Sequence, residues 1–447
     1  MVRPDVAPET CIRCKGARML CGKPSCPILL QHSILKSSIP KNFKLSSAKI
    51  DLFGASPPAI FVGHHGYPKV NIGPLIPINA EIQIKDTSFM DSPETWFGRS
   101  IDEIIKYRVS LIRSNFNMDV KLQENLRIQT KNMDVSSLKM LESTQELAMA
   151  SYSVDTEATL EKVHTNIILD SHAPPQGPAG EAKKILVVDN IKVEKSVEKA
   201  VHDTDLKSTD AIFEVLYLEG KQNLTNIHRL LSAGLLGQSE NRKLVPTRWA
   251  ITAADDVIAK GLKQKILHFP SVDTYYSFYN EYLDNKFLII LAPGPFMYEM
   301  MECWNANTIW TQYTDPKAER KDPIVVVDFE YDKGRKDYAS NVTGAYYAAQ
   351  KEILEFLWKN NRTATVFVIR EVSGGYLVPL GVWVIRETVK NAMTDFTAEN
   401  CRIHESLNDA FMRLKQNFSI DPKVWKHNSI LLKYLNRRKT LDFWLKR

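Results

Sequence analysis

The sequence predicts a mixed α and β fold: a small N-terminal zinc knuckle on a large mixed core, with the choice between α/β and α+β unresolved. Three observations predict it. From residue 46 onward, short β-rich apolar runs such as "FLIILA" and "IVVVDFEY" alternate with stretches of helical periodicity. Over 447 residues the hydrophobic fraction is 44% and the charged fraction 25%, which suits a chain that buries a core. Four of the six cysteines crowd into one short N-terminal segment.

That segment, "CIRCKGARMLCGKPSC", places Cys11, Cys14, Cys21 and Cys26 in the spacing C-x2-C-x6-C-x4-C. Four thiolates suit tetrahedral zinc and leave no open position, so the metal would be structural. Gly16 and Gly22 let the backbone turn close to it, and Arg13, Lys15, Arg18 and Lys23 favour thiolates. Disulfides or an iron–sulfur cluster are the other readings. Cysteines this few suit a reducing compartment. No run of about twenty apolar residues occurs and the N-terminus has no apolar signal core, so a cytoplasmic chain without a membrane span is expected. The net charge of +6 permits a nucleic-acid partner without requiring one.

The body then reads in order. "PAIFVGHHGYPKVNIGPLIP" is strand, tight loop, strand. "SIDEIIKYRVSLIRSNF" is a helix, with Ser100 as N-cap, Glu103 closing a capping box, and Ile101, Ile104, Ile105, Val109 and Ile112 on one stripe. "YSVDTEATLEKV" alternates like a half-buried strand. Residues 170–183 are a loop by composition and the candidate internal boundary, and "KILVVD" follows as a buried strand. Helical segments run from "VEKAVHDTDL" to "NLTNIHRLLSAGLLG". "TGAYYAAQKEILEFLWK", "VWVIRETVKNAM" and "PKVWKHNSILLKYL" are helical, and "TATVFVIREV" is a strand. The expected division is 1–45 for the zinc module, 46–436 for the core and 437–447 for a tail.

Candidate chemistry sits at four places. In "NRKLVPTRWAITAADD", Arg242, Lys243 and Arg248 could clamp phosphate, while Asp255 and Asp256 could hold a divalent ion such as Mg or Mn. The alternative is that Thr252 caps a helix whose first turn carries the two acids. In "VVVDFEYDKGRK", Asp328 and Glu330 share a face at a strand end, as nuclease ligands do and as ordinary polar residues also do. Around His64 and His65, glycines 63, 66 and 73 would admit a phosphate or base, or merely make a hairpin. Arg370, Glu371, Arg386 and Glu387 flank a Gly-rich turn as candidate ion pairs. No phosphate-binding P-loop, dinucleotide fingerprint, H-E-x-x-H or G-x-S-x-G occurs, so an ATPase or simple dehydrogenase has no support.

The ordered string of segments resembles the Nre family of archaeal DNA repair proteins. It runs through "CIRCKG…LCGKPSCP", "FGASPPAIFVGHHGYPKVNIGP", "SPETWFG", "APPQGPAG", "RKLVPTRWAITAADD", "GPFMYEMMECW", "GAYYAAQKEILE", "VPLGVWVIRE" and "TLDFWL". The resemblance implies repair of damaged DNA, a zinc-binding N-terminus and a C-terminal peptide that docks on the sliding clamp, PCNA. In the tail "NRRKTLDFWLKR", Arg438 takes the Gln place of a clamp-docking (PIP) motif, Leu441 is its aliphatic plug, and Trp444 with Leu445 fill the final pair. Arg438 and Leu445 depart from the usual Gln and second aromatic, which implies moderate affinity. The function expected is therefore a clamp-recruited DNA repair protein whose core acts on or binds DNA. A non-enzymatic DNA or partner adaptor, or a nucleotide-directed enzyme, are the alternatives. The sequence leaves open whether the core is a metal-dependent nuclease, another phosphate-directed enzyme, or no enzyme.

Overall fold

The computed structural model describes residues 49–78, 86–121, 135–164, 167–305, 324–373, 375–376 and 379–437. Cys11, Cys14, Cys21 and Cys26, and the tail residues Arg438, Leu441, Trp444 and Leu445, lie outside the described residues. The described chain forms two compact units, one of residues 49–258 and 379–383, the other of 259–378 and 384–437. The division falls inside a helix at 258/259, and the candidate boundary at 170–183 lies within the first unit.

The first unit is built on a six-stranded mixed sheet in the order β1-β5-β6-β4-β3-β2. Its strands are β1 (Lys49–Ser56), β2 (Ile60–Val62), β3 (Lys69–Pro77), β4 (Leu111–Asp119), β5 (Val154–His164) and β6 (Ala179–Val187). Only β4 and β6 run parallel, with Arg113 opposite Ala179. β5 alternates buried and half-buried positions, as its period-two pattern predicts. Expected as a buried strand, "KILVVD" instead ends β6 with Leu186 and Val188 exposed at 43% and 48%. Its apolar run continues past the sheet, where composition alone does not tell a core strand from a fraying end.

Helix α1 (Ile101–Val109) is shorter than the helix expected over 100–116, because Leu111–Asp119, with Ile112, pair as β4, but it carries the predicted capping box: the Ser100 hydroxyl accepts from Glu103 N–H, and the Glu103 carboxylate accepts from Ser100 N–H. The unit's other helices are α2 (Val135–Met149), α3 (Lys195–His202), a π-helical turn (Ala211–Glu219) and α4 (Leu224–Ser232). The long α5 (Thr247–Ile266) follows. It starts at Thr247, directly after Pro246, and not at Thr252. Trp249 and Ala250 N–H both bond Pro246 O, so Pro246 supplies the first carbonyl of the helix. Asp255 and Asp256 are thus mid-helix, and the first-turn reading of them is corrected.

The second unit has a mixed sheet in the order β10-β9-β11-β8-β7-β12. Its strands are β7 (Tyr275–Tyr282), β8 (Asn285–Ala292), β9 (Met297–Trp304), β10 (Ile324–Glu330), β11 (Thr365–Val372) and β12 (Cys401–His404). Period two decides its layers. Leu288, Ile290, Met297, Met301, Phe367 and Ile369 form one cluster with residues of α8 (Leu407–Met412), α9 (Pro422–Asn428) and α10 (Ile430–Arg437). The alternate residues face the other way: Tyr298 packs edge-on against Tyr346, and Phe278 against Phe356, both from α6 (Gly344–Lys359). α7 (Trp383–Ala392) begins on the last residue of the first unit. Helices therefore cover both faces of the second sheet, and the chain is a mixed α/β protein. No helix among the described residues is long and apolar enough to cross a membrane.

Candidate functional site

Five of the segments singled out in the sequence meet in the first unit. The β2–β3 turn brings His64, His65 and Tyr67. The loop after β5 brings Asp170 and His172. The start of α5 brings Thr247, Arg248 and Trp249, and Thr247 Oγ1 accepts from Val62 N–H at 3.0 Å, which ties the helix start to β2. Residues 379–383 dock here too: Val382 N–H donates to His172 O at 3.1 Å. Trp383 packs edge-on against Trp96 of "SPETWFG" with ring centres 5.3 Å apart. Gly177 is required by close approach, because a Cβ there would lie 2.4 Å from both Arg108 O and Leu111 O.

Asp170 organises the loop. Its Oδ1 accepts from His172 N–H at 2.7 Å and Ala173 N–H at 3.3 Å, an Asx-type turn. Arg248 Nη1 stands 3.6 Å from its Oδ2. Burial pushes the carboxyl up, but the hydrogen bonds from His172 and the Arg248 charge outweigh it and hold Asp170 well below the usual carboxylate range. Arg248 Nη2 lies 3.0 Å from His172 Nδ1. His64 is held below its usual value, first by burial and then by the charges of His65 and Arg248. Beside this cluster Tyr67 and Trp249 pair at 5.3 Å, and they are 47% and 46% exposed. An arginine next to two exposed aromatic rings can stack on bases and pair with phosphate.

The other predicted residues divide between the units. Arg242 holds its own loop, donating to Gly237 O at 2.8 Å and to Val201 O at 2.8 Å, whereas Lys243 is exposed. Asp255 is fully buried in α5 and Asp256 half-buried. Asp328 and Glu330 belong to the second unit. Asp328 Oδ1 accepts from both Nη atoms of Arg335 at 3.2 Å, and its Oδ2 accepts from Asn341 N–H at 2.8 Å and Val342 N–H at 2.7 Å. Glu330 receives Lys263 Nζ at 2.9 Å. Asp328 is thus occupied in securing the segment after β10, and Glu330 in an ion pair with α5. Arg370 is buried against Glu302 Oε1 at 2.6 Å, and Glu371 accepts the backbone N–H groups of Ser419 and Ile420. Among the described residues no three His, Cys, Asp or Glu side chains gather to hold a metal ion.

Comparison with known proteins settles the family. The model of the N-terminal region of archaeal Nre matches residues 20–311, and that of the C-terminal region matches residues 330–444. The chain belongs to the archaeal Nre family. It is 34% identical to the DNA repair protein NreA of Archaeoglobus fulgidus over 93% of this chain and 95% of that one. It is 32% identical to DNA repair protein NreB of the same organism, over 97% and 99%. To the NreA of Haloferax volcanii it is 35% identical over 76% and 78%. No solved structure matches. Within this Nre chain, five of the strings that carried the resemblance build the one neighbourhood around Arg248.

That neighbourhood also contains residues that motif reading missed. Asp91, Arg108, Gln176 and Arg229 line a cavity of about 60 Å³ next to Thr247. A signal for Arg108 was present: it falls three and four residues after Ile105 and Ile104, on the apolar stripe of α1, where a charge has to be explained.

Proposed function

We propose that this chain is a DNA repair protein that the replicative sliding clamp recruits through residues 438–445, with structural zinc at Cys11, Cys14, Cys21 and Cys26. The observation that carries the reading is its likeness, over nearly the whole chain, to relatives named DNA repair proteins. The tail supports the clamp: Leu441, Trp444 and Leu445 at i, i+3 and i+4 would form one apolar plug over a single helical turn, in a basic frame. The core would meet DNA in the first unit, where Tyr67 and Trp249 are exposed beside Arg248, with Lys243 exposed as well. Rings of that kind stack on unpaired bases of any sequence, so single-stranded or frayed DNA is the substrate class that fits.

The test is calorimetric binding to the sliding clamp of the same organism. Intact chain should bind. The chain truncated after Arg437, and the Leu441→Ala, Trp444→Ala variant, should not. If the intact chain fails to bind, recruitment by the clamp is wrong. Zinc has a separate check: elemental analysis should find about one zinc per chain, lost in Cys11→Ser with Cys14→Ser. A native, zinc-free protein would remove the metal from the proposal.

A further inference from the structure

The cavity of about 60 Å³ in the first unit is lined by charged and polar side chains that belong to separate elements. Arg108 comes from α1, Gln176 from the loop before β6, Arg229 and Ser232 from α4, Thr247 from α5, and Asp91 from the turn before α1. Two of its arginines are fixed by backbone carbonyls. Arg108 Nε donates to Pro175 O at 2.7 Å, and its Nη1 donates to Met90 O at 3.2 Å and to the Asp91 carboxylate. Arg229 Nε donates to Ala148 O at 2.7 Å and its Nη2 to Ala150 O at 3.1 Å. Gln176 Oε1 accepts from Arg113 Nη1 at 3.0 Å.

These bonds leave donors over. Among the described residues, Arg108 Nη2, Arg229 Nη1 and Gln176 Nε2 donate to no partner. The Ser232 hydroxyl, on a side chain only 1% exposed, also has none there. A buried hydroxyl without a partner is costly, so it calls for an explanation. Charge points the same way. Arg108, Arg113 and Arg229 stand against Asp91 and Glu94, three positive groups to two negative. Burial lowers Arg229 to about 10, opposed by Asp91 and Glu94, so it keeps its charge at neutral pH. Burial raises Asp91 above the usual carboxylate range, with Arg108 and Arg229 opposing.

We propose that this donor-lined cavity is a binding site for a single phosphoryl group, held by Arg108, Arg229, Gln176 and Ser232. The charged N–H groups left over on each guanidinium fit phosphate oxygens, and their pinned geometry means little ordering on binding. The cavity has room for a group of a few atoms, not for a whole nucleotide. The phosphate could be carried by a DNA 5′ end or by a free nucleoside monophosphate. The first source rests on the reading of this unit as the DNA-contacting one.

The test uses the full chain and two substitutions chosen to spare the fold. Ser232→Ala removes only the unpartnered hydroxyl, so the protein should be as stable as before or more so. Gln176→Glu keeps the acceptor that Arg113 uses and places a negative charge toward the cavity. Inorganic phosphate should raise the melting temperature over chloride at equal ionic strength. The affinity should fall roughly tenfold in Ser232→Ala and be abolished in Gln176→Glu. No protection of the wild type, or equal protection of wild type and both folded variants, overturns the site. Competition then identifies the source, by comparing a 5′-phosphorylated oligonucleotide, its 5′-hydroxyl form and a nucleoside monophosphate. Phosphate protection without any DNA binding would keep the site and sink the DNA reading. DNA binding without phosphate protection would do the reverse.

Discussion

Asp170 shows how one side chain sets the geometry of a whole loop. It folds the backbone around itself by accepting from His172 and Ala173 N–H, and it faces Arg248 from α5. Asp170→Asn would keep a carbonyl acceptor for the backbone but lose the charge facing Arg248. The expected cost is about 1 kcal/mol at neutral pH. The pH dependence follows from the direction of the shift. Asp170 is held below the 3.8 of a free aspartate, so its stabilisation is present above that value and is lost as the pH falls through the lower, folded-state value. The stability difference between wild type and variant should therefore be constant from neutral pH down to about 5 and close below about 4. Urea titrations at a series of pH values check this, and a gap that stays open in acid would deny Asp170 its role.

At the scale of elements, Glu299 does for α10 what a neighbouring N-cap usually does. It lies in β9, fully buried, and its carboxylate accepts from Ser429 Oγ at 2.5 Å, Ile430 N–H at 2.6 Å and Leu431 N–H at 2.9 Å. Three otherwise unpaired donors at the helix start are met by one anion from a distant strand. Glu299→Gln would turn an amide NH2 toward donors, costing about 1–3 kcal/mol. Amide hydrogen exchange should quicken through residues 430–437 while β9 stays protected. Unchanged exchange there would show that the Ser429 hydroxyl, which accepts from Leu432 N–H, and the packing of Leu431 hold the helix without Glu299. Long-range caps of this kind were invisible in the sequence, since nothing near Ser429 announces Glu299. Local signals were legible: the Ser100–Glu103 box and the alternation of β5. Readings failed where a signal was local but its meaning was not. Thr252 looked like a cap because acids follow it, yet Pro246 starts α5 one turn and more earlier. For Asp328 and Glu330 the sequence leaves metal ligands and ordinary strand-end polar residues both open, and only the fold reveals Arg335, Lys263 and two backbone N–H groups placed to occupy them. The site was half legible, because Arg248, His64 and the glycines stood in notable strings. The cavity arginines stand among apolar residues, where no motif marks them.

For the molecule as a whole, two weak contacts with one composite target would act together. The aromatic and basic face of the first unit would hold DNA, and the tail beyond Arg437 would hold the clamp encircling that DNA. Joined in one chain, the second contact forms at an effective concentration set by the linker, so binding to clamp-loaded DNA should exceed either single affinity by about 10²- to 10⁴-fold. The two halves are separable. Trp249→Ala should weaken binding to bare single-stranded DNA by about 1–3 kcal/mol through lost stacking, with little change in salt dependence. Lys243→Ala should reduce the salt slope by about one instead. Truncation after Arg437 should leave bare-DNA binding as it was and remove only the gain from the clamp. Fluorescence anisotropy on single-stranded DNA, and on nicked DNA with and without loaded clamp, measures all three. If truncation weakens bare-DNA binding as much as clamp-loaded binding, the tail is itself a DNA contact. If Trp249→Ala matters only when the clamp is present, the rings of the first unit belong to the clamp contact and DNA must be held elsewhere.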